Sequence, residues 1–137
     1  MRPFQFPPTM SSASLELTEA EGQQMTAFLQ KLVQTPSHSG HEAQLATLII
    51  SELASVGITN VSMDSAGSLI AYLGDGNGRT LLIDSHMDTV SGHATDWQHG
   101  MYGALIEEGR VYGLGACDAK GAIATKPSIS SIRRCLS

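Results

Sequence analysis

Cysteine, positive charge and long apolar runs are all scarce in this sequence. Two cysteines in 137 residues, Cys117 and Cys135, do not make a disulfide framework, so a reducing, cytoplasmic setting is the expectation. No apolar run approaches the roughly 20 residues that a membrane-spanning helix needs. Residues 1–15 carry three prolines and one arginine, and hold no apolar core of signal-peptide length. They are expected to form a disordered leader, with Met10 as a second candidate start. Eight Lys and Arg against thirteen Asp and Glu leave a net charge of −5, which argues against a nucleic acid or an anionic membrane as partner. There is no internal repeat and no low-complexity block.

What is present is the composition of a globular chain, 42% apolar and 15% charged, long enough for one domain that buries about two-thirds of its unfolded surface. Thr18-Glu19-Ala20-Glu21 has the form of a capping box. Met25, Phe28, Leu29, Leu32 and Val33 follow at helical spacing as core candidates, and Thr35-Pro36 ends the helix. Ser39-Gly40-His41-Glu42 reads as a second capping box. Leu45, Leu48, Ile49, Leu53 and Val56 form the next apolar face, with Gly57 as its C-terminal cap. Ile58 to Asp64 and Leu69 to Leu73 predict a hairpin around Ser65-Ala66-Gly67-Ser68. Gly74 to Gly78 is a glycine-rich turn without the following helix or the Lys-Ser/Thr pair of a phosphate loop. Residues 91–103 have no clean period and read as a loop packed down by Trp97. Ala104 to Tyr112 predicts a second hairpin, with Glu107-Glu108-Gly109 as an exposed turn. The element order predicts an α/β layer with a mixed sheet.

The most informative stretch is Leu81-Leu82-Ile83-Asp84-Ser85-His86-Met87-Asp88-Thr89-Val90. Three apolar residues in a row predict a strand buried on both faces, as in a parallel sheet. If the strand continues, alternation puts His86 and Asp88 on one side, at a strand end where open α/β sheets bind ligands. An imidazole with a carboxylate two residues on suits a metal ligand and its orienting partner. It equally suits a loop closed by a local hydrogen bond. His38, His41, His93 and His99 read as solvated residues rather than ligands.

About thirty residues on, Val111-Tyr112-Gly113-Leu114-Gly115-Ala116-Cys117-Asp118-Ala119-Lys120-Gly121 reads as a strand end, a glycine-relaxed loop and a first helical turn. Gly113 and Gly115 allow close backbone approach. Asp118 sits where it can cap the helix and still project a carboxylate. Cys117 reads as a small buried residue and Lys120 as a solvated one.

Taken together, His86-Met87-Asp88-Thr89-Val90 and Tyr112-Gly113-x-Gly115-x-x-Asp118-x-Lys120-Gly121 resemble the dinuclear zinc hydrolases that include acetylornithine deacetylases, succinyl-diaminopimelate desuccinylases, aminoacylases and glutamate carboxypeptidases. Val33-Gln34-Thr35-Pro36-Ser37-x-Ser39-Gly40-x-Glu42, Gly67 and Trp97 extend the likeness over residues 16–124. The resemblance implies a partial, truncated zinc-exopeptidase-like three-layer α/β domain with a mixed sheet. It implies that His86 ligates one zinc, that Asp118 bridges two, and that Asp88 serves catalysis by orienting His86. It implies a pair of zinc ions, with cobalt or manganese as alternatives, that polarise a carbonyl and acidify a bridging water. The substrate would be a small N-acyl amino acid or peptide.

The family pattern continues with a Glu-Glu pair (general base and ligand), a further carboxylate ligand, a final His, and an inserted lid domain that commonly mediates a homodimer. Residues 119–137 contain no Glu, Asp or His. Thr125-Lys126-Pro127 breaks the expected long helix, and residues 125–137 read as an aberrant or disordered tail, as from a lost frame or a truncated gene. The expectation is an incomplete site with negligible hydrolysis, since loss of a general base alone costs about a hundredfold to ten-thousandfold. An exposed apolar edge and marginal stability are also expected. The alternatives are a non-catalytic α/β module that binds a peptide, metabolite or subunit, and a domain in which both motifs are purely structural.

Overall fold

The computed structural model describes residues 17–127. The expected leader therefore lies wholly outside the described residues, and the expected tail does so from residue 128 onward. Helix α1, Glu19–Gln34, opens with the capping box read from the sequence: the Thr18 hydroxyl accepts from the Glu21 backbone N–H at 3.2 Å, and the Glu21 carboxylate accepts from the Thr18 N–H at 2.9 Å. It ends at Thr35, whose extended backbone suits a residue before proline. Helix α2, Ala43–Ser55, closes through Gly57 at φ +82°, where the Ile58 N–H reaches back to the Leu53 carbonyl at 2.8 Å.

Two hairpins follow the expected pattern. Strands β1 (Val61–Met63) and β2 (Leu69–Ala71) pair antiparallel with Ser62 opposite Ile70. The Asp64 carboxylate organises their turn, accepting from the Ala66 and Ser68 N–H groups at 2.9 Å each. Strands β3 (Leu105–Glu107) and β4 (Arg110–Tyr112) pair with Ile106 opposite Val111. Glu108 and Gly109 both take positive φ in their two-residue turn, the geometry that matches strand twist.

The core lies between the helices. Phe28 and Leu32 of α1 pack with Leu45, Ile49 and Leu53 of α2, with Ile58, and with Ile123 and Ala124 of the short helix α3, Gly121–Thr125. Those α1 and α2 residues are the apolar faces read from the spacing. Helix α3 stops where Thr125-Lys126-Pro127 predicts.

Other expectations fail. The described residues form two separate antiparallel hairpins, not one mixed sheet, and parallel pairing is confined to a single bridge between His38 and Thr89. Residues 81–83 are not a buried strand. No strand forms there, and the side chains of Leu81 and Leu82 are 82% and 85% exposed. A three-residue apolar run is buried only if a neighbour covers it, and among the described residues none does. Ser39 and Glu42 do not cap α2, whose first turn has no side-chain cap; their side chains turn to other partners. Lys120, expected in solvent, is 1% exposed, and its ammonium donates to the Thr35 carbonyl at the end of α1 at 2.8 Å. Its stem fills the space beside the core while its head meets an orphan carbonyl. Burial lowers its pKa to about 8.

The folded chain thus sheds this proton near pH 8, and the unfolded chain near 10.5. Between those values the unfolded state holds more protons, so stability climbs as pH rises through the window. Chemical denaturation across that window should show a gain on the order of 3 kcal/mol that the Lys120→Met variant lacks. Parallel curves for the two proteins would show that Lys120 titrates normally.

Candidate metal centre

Residues 84–90 carry no regular strand, yet their end is pinned. The Thr89 N–H donates to the Ser37 carbonyl at 2.8 Å, and the Ser37 hydroxyl donates to the Met87 carbonyl at 2.9 Å. Ser37 and Thr89 are both buried. Held at residues 87 and 89, the chain presents His86 and Asp88 together, the same-side placement expected from alternation. Imidazole Nδ1 of His86 lies 3.0 Å from the Asp88 carbonyl oxygen and 3.2 Å from Asp88 Oδ1.

Asp118 arrives from the other motif. The loop after β4 passes so close to α1 that a Cβ on Gly113 would lie 2.3 Å from Val33 Cγ1, and one on Gly115 would lie 2.6 Å from Thr89 Cγ2. The close approach expected of these glycines is therefore to the packed interior. Ala116–Lys120 then forms a wide turn, kinked at Asp118 and Ala119, whose backbone angles are not helical. Asp118 caps no helix: α3 begins at Gly121 with no side-chain cap. Its carboxylate instead meets His86, with Oδ1 2.8 Å from Nε2. The two motifs, 32 residues apart, thus meet through one contact. The site is open, with side-chain exposures of 49% for His86, 40% for Asp88 and 88% for Asp118.

The donor set fixes what the site can hold. Nδ1 faces a carbonyl and a carboxylate, and Nε2 faces a carboxylate, so every partner is an acceptor. Neutral imidazole has one proton for both sides. A positive charge at Nε2, either a proton or a cation, is what reconciles that nitrogen with Asp118 at this distance. In the metal-free chain the proton fills this role: the Asp118 carboxylate first, then the Asp88 carbonyl, raises the His86 pKa above its ordinary value. The Asp88 carboxyl is held below its ordinary range by the Ser39 hydroxyl and then by His86. An imidazole nitrogen converging with a carboxylate, and backed at Nδ1 by a second carboxylate, fits a divalent metal in kind. It falls short in number, since no group of three or more His, Cys, Asp or Glu among the described residues is placed to hold a metal.

The remaining histidines lie elsewhere. His41 and His93 are exposed. His38 is half-buried with Nε2 3.3 Å from the Tyr102 hydroxyl, and His99 stacks on Tyr112 at 4.6 Å; neither is solvated as expected. Trp97 is half-buried and, with Met101 and Leu114, crowds Gly92, which packs the loop down as read. Cys117 is exposed, not buried. Ser39 is the residue that sequence reasoning missed: its hydroxyl donates to Asp88 Oδ2 at 2.5 Å, across 49 residues, and its apparent place in a capping box concealed this.

Residues 82–126, which span both motifs, match the model of peptidase family M20/M25/M40. Over that segment the chain is similar to the M20 peptidases. Among its curated relatives are two proteins named only as uncharacterized protein YgeY, from Escherichia coli K12 and Escherichia coli O157:H7. Each is 32% identical over 102 residues, a stretch that covers 74% of this chain and 25% of the relative. The chain thus spans about a quarter of the length of these relatives. No solved structure matches it.

Asparagine at position 118 removes the anion from Nε2, so the His86 pKa should fall toward 6.5 in the Asp118→Asn variant, as read by imidazole NMR. Stability linked to this pair is fully present below pH 6.5 and is lost as pH rises through the folded value. An unchanged His86 titration would show that the contact carries no electrostatic weight.

Proposed function

We propose that this chain supplies part of the metal site of an M20-type amidohydrolase, with His86 ligating one metal, Asp118 bridging two, and Asp88 orienting His86. The observation that carries this reading is the approach of Asp118 Oδ1 to His86 Nε2 at 2.8 Å, which brings an imidazole nitrogen and a carboxylate from the two motifs to one point. The match of residues 82–126 to a peptidase family supports hydrolase chemistry of the metal-dependent kind. Zinc is the metal proposed, with cobalt or manganese as substitutes, and it would supply Lewis-acid polarisation of the scissile carbonyl and a lowered pKa for an attacking water. The substrate proposed is a small N-acyl amino acid or peptide, and Tyr112-Gly113-Leu114-Gly115 points toward the acetylornithine deacetylase branch.

The residues of this chain have definable tasks. With a metal at Nε2, Asp88 would accept the hydrogen bond of the Nδ1–H group through its carbonyl and Oδ1 and so hold the ring in place. Asp118, almost wholly in solvent, offers its second oxygen outward. Catalytic zinc sites commonly use three protein ligands, and His86 and Asp118 make two. Residues 119–137 contain no Glu to act as general base. We therefore propose that this chain alone hydrolyses amides negligibly, and that its setting is the cytoplasm. No helix among the described residues is long and apolar enough to cross a membrane. A second reading, a non-catalytic module that keeps the fold, is favoured by the lack of a third ligand among the described residues. A homodimer is proposed only for a form that carries the lid domain.

Zinc titration of the full chain, followed by calorimetry, should show weak binding that the His86→Ala and Asp118→Asn variants lose. N-acetyl amino acids should be hydrolysed no faster than in buffer. Absence of binding at micromolar zinc in folded protein would end the metal reading. Saturable hydrolysis abolished by Asp118→Asn would end the claim of inactivity.

A further inference from the structure

The glycine-rich turn Gly74-Asp75-Gly76-Asn77-Gly78 takes no part in the core or in the metal reading, yet it holds a reactive pair. The fate of an asparagine amide depends on the residue that follows it. The backbone nitrogen of that residue is the nucleophile, and the side-chain amide carbon Cγ is the electrophile. The chain has two asparagines, Asn60 and Asn77, and their settings are opposite. Asn60 precedes Val61, whose branched Cβ crowds its own nitrogen. That nitrogen already donates to the Thr59 carbonyl at 3.0 Å, and the Asn60 carbonyl accepts from the Tyr72 N–H at 3.0 Å, which ties the peptide to the first hairpin. Asn77 precedes Gly78, and both are exposed. Gly78 has φ +102° and open space where a Cβ would lie. Its N–H has no hydrogen-bond partner among the described residues. The Asn77 N–H donates to Asp75 Oδ1 at 3.0 Å. This Asx turn holds the backbone on the near side of the reacting peptide and leaves the Gly78 side open.

We propose that Asn77 is a site of spontaneous covalent modification, which the fold leaves unprotected and which converts to aspartate and isoaspartate. The Gly78 nitrogen gives its proton to hydroxide and attacks Asn77 Cγ. The N–Cγ bond forms, the Cγ–Nδ2 bond breaks, and the amide group leaves as ammonia after taking a proton from water. One water then opens the five-membered succinimide. Addition at the side-chain carbonyl gives aspartate. Addition at the main-chain carbonyl gives isoaspartate, in which the backbone runs through Cβ and Cγ. The balance is one water consumed and one ammonia released, with no change of oxidation state. Either product sets a carboxylate beside Asp75 and adds one negative charge to the net −5. Asp75-Gly76 has the same spacing but a poorer electrophile, a carboxylate in place of an amide, with Oδ1 held by the Asn77 N–H. Ring closure there would expel water and leave the mass unchanged once the ring reopened. The inference is independent of the metal reading.

The test keeps the full chain folded at neutral and at mildly alkaline pH, and a second sample unfolded in guanidinium chloride at the same pH values. Peptide mass mapping should show a gain of one mass unit at residue 77 in both samples, at rates of the same order and rising in proportion to hydroxide. Enzymatic methylation of isoaspartate should label the same peptide. Asn60 should stay intact in the folded sample. The Gly78→Ala variant should lose most of the gain. Because alanine is strained at φ +102°, Asn77→Gln serves as the second variant; its ring closure would be six-membered and slower, so it should lose the gain as well. A folded chain that keeps Asn77 intact while the unfolded chain converts overturns the inference, since the fold would then protect the bond. Isoaspartate found at residue 75 with no mass gain at residue 77 overturns it equally.

Discussion

Ser37 has no exposed surface, and both its hydroxyl and its carbonyl are spent on the backbone at residues 87 and 89. The turn it belongs to does the same at two neighbouring positions. The Thr35 carbonyl accepts from the Lys120 ammonium, and the Ser39 hydroxyl donates to the Asp88 carboxylate. Three residues spaced two apart thus hold the His86 segment and the Asp118 turn against the end of α1. Hydrogen bonds of this kind contribute modestly when made and cost more when a buried partner is left alone. The turn can hold both motifs because α1 and α2 are already fixed by the apolar contacts of Phe28, Leu32, Leu45 and Ile49.

This division separates what stabilises the chain from what gives it chemistry. The apolar core and the buried ammonium of Lys120 lie on the inner side. His86, Asp88 and Asp118 lie outside, where water screens their charges and their pairing adds little to stability. The glycines at 113 and 115 join the two levels. They let the loop press on Val33 and Thr89, and so set where the next turn delivers Asp118. A side chain at either place would move the carboxylate before it touched the imidazole.

Most local signals in the sequence carry through to the structure; the capping box at Ser39 and the cap at Asp118 do not. Both helices, the Thr18 capping box, the Gly57 cap, both hairpin turns and the break at Thr125 depend on residues within a few positions of one another. His86 and Asp118 were legible as candidates because each falls at the end of a recognisable pattern. Their meeting was implied by resemblance, while spacing alone left it open. The failures share a cause. Ser39 finds its partner 49 residues away and Lys120 finds its own 85 residues away, and no local pattern encodes either. Ser39 fitted a capping box that the chain does not use. Leu81, Leu82 and Ile83 have the composition of an interior strand, but composition states only what a segment would gain from cover. Cover itself must come from other segments, and the described residues provide none.

The openness of Asp118 carries a kinetic meaning. With 88% of its side chain in water and half of the imidazole beside it also bare, nothing among the described residues would have to swing aside for the ion of the proposed site to arrive or depart. Exchange with the bulk would be limited by encounter and by the few bonds broken on leaving. Occupancy of such a pair would follow the free concentration of the ion from moment to moment, as in a buffer, with no long residence to insulate it from its surroundings.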